Sequence, residues 1–201
     1  IVQATDPDDH VFEVTADYVN ISGFTVSGAT GDYNKVGIYL ARADYCTISE
    51  NNASNNWCGI YLDKSSKNDI TSNNVSDNGN GIYLSKSSSN TLTGNIANSN
   101  SGCGIYLTHS NNNIISNSNC SSNTHSGILV VLSNDNIISK NNCLRNNQSG
   151  PTVSGKGIRL YYSNSNKVFS NNLSLNEWMG LNIDCSNNNI ISNNIFSSNY
   201  R

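Results

Sequence analysis

Charge is scarce in this chain. Only 12% of its 201 residues are Asp, Glu, Lys or Arg, and 11 basic against 14 acidic residues leave a net charge of −3. So small a balance offers no electrostatic footprint for nucleic acid or an anionic membrane surface. Apolar residues are also sparse, at 36%. No stretch approaches the roughly 18–20 consecutive apolar residues that span a bilayer, so membrane insertion by this segment is not expected. The start lacks a charged region followed by an apolar one. Instead Ile1-Val2-Gln3-Ala4 already reads as strand, and the expectation is a fragment of a longer chain. Metal chemistry is poorly served as well. There is no Cys-x-x-Cys, and His10, His109 and His125 are scattered. Neither zinc nor copper finds the usual ligand spacing. The Asp-rich loops and Gly-rich nonapeptides that hold calcium are missing too. No metal and no other cofactor is expected.

Asn and Ser fill the space that charge and apolar residues leave. Such a composition resembles a low-complexity tract, but the apolar residues are periodic. Gly37-Ile38-Tyr39-Leu40 recurs as Gly59-Ile60-Tyr61-Leu62, Gly81-Ile82-Tyr83-Leu84 and Gly104-Ile105-Tyr106-Leu107. Looser copies begin at Gly127, Gly157 and Gly180, with spacings of 22, 22, 23, 23, 30 and 23. Nine residues after each glycine, from the second copy on, stands Asn68, Asn90, Asn113, Asn136, Asn166 or Asn189; the first copy has Cys46. Eleven after stand Ile48, Ile70, Leu92, Ile115, Ile138, Val168 and Ile191. Fourteen after, Asn51, Asn73, Asn95, Asn141, Asn171 and Asn194 recur, with Ser118 the exception. An irregular coil, residues 12–26, precedes these.

A repeat of this length is one supersecondary unit that cannot bury its own apolar face, whereas stacked neighbours can. Strand side chains alternate between faces. The first and third residues after each glycine therefore point inward and the second outward. No helical periodicity longer than two turns competes. The expected fold is all-β: a single-stranded, right-handed parallel β-helix of about eight coils, three short strands per coil, forming one domain over residues 1–201. Eight coils at about 4.8 Å give a rod roughly 38 Å long. Asn-rich bends suit it, because Asn tolerates left-handed backbone and stacked Asn side chains bond to one another.

The pattern G-I-x-L-x-x-S-x-x-N-x-I-x-x-N resembles the repeats of the NosD-type, carbohydrate-binding and sugar-hydrolase (CASH) β-helix group, most of all those in archaeal, particularly methanogen, cell-surface proteins. The resemblance covers nearly the whole chain, through residues that build coils. It implies an extracellular or cell-surface setting and a frequent link to polysaccharides. The partners it implies are a cell-envelope glycan or other polysaccharide, and other domains of the same chain.

Two outward features stand out. Tyr39, Tyr61, Tyr83 and Tyr106 hold one position in four successive coils, each followed three residues on by Arg42, Lys64, Lys86 or His109. Such a ladder suits sugar rings, which stack on aromatic faces while polar neighbours bond their edges. It also suits plain strand-to-strand stabilisation. The second feature is the 30-residue spacing, about seven residues more than the other coils have, which places an insertion at 147–156. Beside its expected foot stand Arg159 and Tyr161, with Asn182 and Asp184 one coil on. Asp184 could serve as a general acid or base with Arg159 as its electrostatic partner. A surface ion pair is the bland alternative. Glycoside hydrolysis usually needs two carboxylates a short distance apart. Asp63 and Asp184 share a column but lie five coils apart, about 24 Å, and no adjacent-coil pair appears on the first sheet.

Cys120 and Cys143 share an inward position in adjacent coils and read as small core hydrophobes. Cys58 and Cys103 are two coils apart, too far to bridge. The Asn-x-Ser sequons at Asn20, Asn52, Asn74, Asn119, Asn147 and Asn172 are frequent enough to follow from composition alone. The reading is therefore a non-catalytic surface module, structural or polysaccharide-binding. A polysaccharide hydrolase or lyase with its site near the insertion is the alternative.

Overall fold

A computed structural model describes residues 1–31, 35–147 and 155–200. The inserted residues 148–154 lie outside the described residues. Among the described residues every element is a strand, and the strands pair in parallel. The strand from Phe12–Val14, then Val36–Ala41, Cys58–Asp63, Asn80–Ser85, Ile105–Thr108, Ser126–Val131, Lys156–Tyr161 and Leu181–Asp184 pair in that order into one eight-stranded sheet. A second eight-stranded sheet runs from Asn20–Ser22 to Ile190–Ser192. The third side begins as Val2–Gln3, Thr25–Ser27 and Asn52–Ala53. It continues as single parallel bridges through Asn74, Ile96, Asn119, Asn142, Asn172 and Ile195. The chain is a parallel β-helix whose third wall thins to one bridge per coil.

The register follows the glycine phase. Ile60, Ile82 and Ile105 are mutual partners, as are Leu62, Leu84 and Leu107, and all six are fully buried. Ile48, Ile70, Leu92 and Ile115 form the facing column from the second sheet. The repeat glycine is a matter of space. A Cβ on Gly81 would sit 2.5 Å from the Gly104 carbonyl oxygen and 3.0 Å from the Ala97 Cβ. In the last coil Ile183, Ile191 and Phe196 hold inward positions yet are 40%, 37% and 50% exposed, because no described coil stacks on them.

The bends differ from expectation in one respect. Left-handed backbone does occur at four corners per coil, but the ladder asparagines do not adopt it. It falls on the residue just before each inward Ser or Asn. Lys64 (φ 50°), Lys67 (60°), Ser72 (55°) and Asp77 (59°) are the four in one coil. They precede Ser65, Asn68, Asn73 and Asn78, all buried. The corner residue is thus free to vary, and the buried polar residue behind it does the bonding. Asn73, for example, accepts the Asn51 peptide N–H on Oδ1 (3.0 Å) and donates from Nδ2 to the Ile48 carbonyl (2.8 Å) and to Asn95 Oδ1 (3.1 Å). Buried backbone groups at a bend need such partners.

Candidate functional site

The four tyrosines stand in register, with Tyr39 against Tyr61, Tyr61 against Tyr83 and Tyr83 against Tyr106. Ring centroids are 5.2, 4.7 and 4.8 Å apart, and the last two pairs lie within 12° of parallel. His10 adds a further ring, 4.6 Å from Tyr39. Parallel strands enforce the spacing, so the stack is a consequence of fold and repeat together. The rings are half-buried rather than fully exposed. Burial accordingly pushes the Tyr39, Tyr61 and Tyr106 phenols up, and Tyr83 up to about 12. All four remain neutral hydrogen-bonding groups at ordinary pH.

Arg42, Lys64 and Lys86 occupy the exposed corner that closes the first sheet, each in left-handed backbone, and His109 continues the line. Lys64 lies 3.9 Å from Asp63. An exposed pair of this kind contributes little to stability. These cations flank the tyrosines as a rim instead of projecting from the same strand positions.

Beyond Tyr106 the column continues as Leu129, Arg159 and Asn182. Here the structure brings the second set of candidates together. Arg159 Nη2 and Nε donate to Asp184 Oδ2 at 3.1 and 3.3 Å, and Asn182 Nδ2 donates to Asp184 Oδ1 at 3.3 Å. The Arg159 guanidinium lies 4.7 Å over the Tyr161 ring. Both sides of the carboxylate are therefore already engaged.

Between this group and the end of the tyrosine ladder lies a cleft of about 350 Å³, lined by Tyr106, Leu129 and Arg159 on one side and Cys103, Ser126 and Lys156 on the other, with His125. No carboxylate is among its described lining residues. Sequence reasoning missed Lys156 as a site residue. It is only 3% exposed, and its Nζ sits 4.2 Å over the Trp178 ring. Burial first, and then the Arg159 charge, lower its pKa to about 8, opposed by Asp184. The signal was hidden because its column partners are Ser126, Cys103, Asn80 and Cys58, which share no chemistry.

All six cysteines are free thiols, Cys58 and Cys103 included. Burial raises Cys103 to about 11 and Cys143 well above the usual thiol range, where contact with Cys120 adds to the effect.

The fold and this exposed face place the chain among parallel β-helix proteins. The sequence matches the family described as periplasmic copper-binding protein (NosD) over residues 7–154 and again over 80–201, and the chain belongs to that family. No curated protein matches it. Among solved structures, DFA-IIIase from Arthrobacter chlorophenolicus in complex with DFA-III is similar with a TM-score of 0.75 and 18% identity, over 97% of this chain and 51% of that one. The Dettilon tailspike protein gives 0.73 and 18%, over 92% and 43%. The periplasmic alginate epimerase AlgG gives 0.68 and 18%, over 91% and 46%. The chain spans about half the length of these structures, and likeness at this identity shows the fold. The copper of the family's description does not fit these residues. Among the described residues no group of three His, Cys, Asp or Glu side chains could hold a metal ion. The adjacent pair Cys120 and Cys143 is sealed in the core, where burial holds the proton on a thiol that would have to lose it to bind metal.

Proposed function

We propose that this chain is a non-catalytic β-helix module of an extracytoplasmic surface that binds polysaccharide along its first sheet. The observation that carries the reading is the unbroken stack from Tyr39 to Tyr106, which runs directly into the 350 Å³ cleft. The stacked phenols turn their faces to one another and present outward a continuous ridge of ring edges and hydroxyls, a mixed apolar and hydrogen-bonding surface of the kind that suits sugar rings. Ring spacing near 4.8 Å is shorter than one sugar residue, so each sugar spans neighbouring rungs. The location follows the periplasmic description of the family. The alginate epimerase and the DFA-III complex among its structural relatives add weight to a carbohydrate ligand.

Calorimetric titration of a polysaccharide panel tests this reading. The combined Tyr61→Ala and Tyr83→Ala variant should lose binding while keeping its fold. Absence of binding to every acidic and neutral polysaccharide, with folding confirmed, would leave the ladder as a structural or domain-packing feature.

The enzymatic alternative has one observation in its favour, the Arg159–Asp184 pair beside the cleft. Its test is reducing-end or unsaturated-product release that disappears in Asp184→Asn. Against it stand the lack of a carboxylate among the cleft's described lining residues and an Asp184 already held by Arg159 and Asn182.

A further inference from the structure

Lys156 is an anomaly in its own column. Taking an ammonium group out of water is expensive unless a counter-charge or a full set of hydrogen bonds replaces the solvent. Among the described residues no carboxylate lies within ion-pair distance of Lys156, and Arg159, the only cation facing it, adds repulsion. Asp184 is close enough to act on it electrostatically but is bound to Arg159. What Lys156 does have is the Trp178 face, a cation–π contact that offsets only part of the desolvation. The arrangement leaves one net positive charge, nearly shielded from solvent, on the wall of a cleft whose other wall is a tyrosine face and a leucine.

We infer that this cleft is an anion subsite, in which Lys156 and the Nη1 side of Arg159 receive the negatively charged substituent of an acidic sugar while Tyr106 and Leu129 carry its ring. The inference rests on the glycan-binding reading and deepens it by naming the substrate class. Arg159 meets Asp184 through Nε and Nη2, which leaves Nη1 to point elsewhere. Asp184 and Asn182 then act as positioning residues that fix the guanidinium plane. The pair Lys156 and Arg159 is suited to an anion, because hydrogen bonds in which both groups are charged are the strong ones. An anion would also supply the counter-charge that Lys156 lacks among the described residues. Neighbouring titratable groups, His125 and Cys103, line the same space; burial keeps the Cys103 thiol protonated, so it adds no competing negative charge.

The test uses calorimetry on the folded full chain with four probes. These are an oligogalacturonate, its carboxyl-reduced neutral counterpart, a sulfated neutral oligosaccharide and that sugar without sulfate. The expected result is about tenfold or more tighter binding of one charged probe than of its uncharged parent; which charged probe gains tells carboxylate from sulfate. Lys156→Met should abolish that preference, and Lys156→Arg should keep part of it. Equal binding of charged and neutral probes overturns the anion subsite and leaves the glycan reading standing. Binding of none overturns both. The comparison of probes on the unaltered chain decides even if Lys156→Met fails to fold. A folded Lys156→Met that retains the full preference assigns the charge recognition elsewhere and overturns the inference.

Discussion

Asn90 ties three coils together. Its Oδ1 accepts the Asn68 peptide N–H at 2.9 Å and the Asn68 side-chain amide at 3.2 Å, while its own Nδ2 donates to the Ser65 carbonyl at 3.2 Å and to Asn113 Oδ1 at 3.1 Å. The residue is 1% exposed, so water cannot replace any of these bonds. Asn90→Ala leaves the buried Asn68 peptide N–H and the Ser65 carbonyl unmatched, while Asn113 Oδ1 keeps the residue-90 peptide N–H. Each orphaned group costs about 1–3 kcal/mol. The expected loss is therefore about 3 kcal/mol or more, read as a drop in unfolding midpoint in urea or heat. Because coils unfold locally in a solenoid, hydrogen exchange should rise first in the coils that hold Asn68, Asn90 and Asn113.

Two glycines should respond in opposite ways. Gly81→Ala forces a methyl group against the Gly104 carbonyl and the Ala97 Cβ, which belong to packed neighbouring coils. Overpacking of this kind costs about 1–3 kcal/mol, and more where backbone must move. Gly94 has φ +68°, and a Cβ there would meet nothing closer than Ser72 Oγ at 3.6 Å. It occupies a corner where Ser72 and Asn117 adopt the same left-handed conformation in neighbouring coils. Gly94→Asn should be nearly neutral, and thermal melts of the two variants would separate the roles. Equal losses would mean that the corner demands glycine, contrary to its neighbours.

Most of the fold was legible because it rests on repeated side chains. Ile82 and Leu84 recur in phase, and so do Asn68 and Asn90; their burial and stacking follow from strand alternation. A third ladder was overlooked: Asn56, Asn78, Asn100, Asn123 and Asn146 stack like the other two. Its residues lie nineteen after each glycine, where the surrounding Asn and Ser mask the phase. The left-handed corners were illegible for a different reason. Lys64, Leu132 and Tyr162 hold one such corner and have nothing in common chemically; each precedes a fully buried serine, Ser65, Ser133 or Ser163, that makes the bonds. The tyrosine ladder and the Arg159–Asp184 pair could be placed from register alone. Lys156 could not, because the ring its ammonium packs on, Trp178, comes from the next coil.

Thiol accessibility offers a direct check on the packing. Cys46, Cys58, Cys103, Cys120 and Cys143 are buried, and Cys185 is exposed. A thiol reagent added to the native protein should therefore modify Cys185 rapidly. Cys46, Cys58, Cys120 and Cys143, which do not line the cleft, should react only as the protein unfolds, since shielded thiols are poor nucleophiles. Peptide mapping of the modified sites reads the outcome. Rapid native-state labelling of Cys120 or Cys143 would contradict their place in the core.

The depressed pKa of Lys156 gives opposite pH signatures for stability and for binding. With its folded-state value at about 8, below the ordinary lysine value of about 10.4, the unfolded chain binds the extra proton between those limits. Stability contributed by this group therefore rises as pH increases through about 8 to about 10.4. Cys103 and the ladder tyrosines, whose pKa values burial raises, also bear on stability at high pH, so the quantity to measure is the difference between the unaltered chain and Lys156→Met. That difference should shrink steadily above about pH 8, with Lys156→Met the more stable protein at pH 7. Anion binding should move the other way. An acidic oligosaccharide engages the ammonium form, so its affinity should fall as pH climbs from about 7 to about 9.5, while a neutral oligosaccharide should bind equally well across the range. Bound anion should also raise the pKa of Lys156, and calorimetry in buffers of different ionisation heat would show proton uptake on binding near pH 8.5. An affinity for the acidic probe that stays flat through this window, with no proton uptake, would remove Lys156 from the recognition of charge.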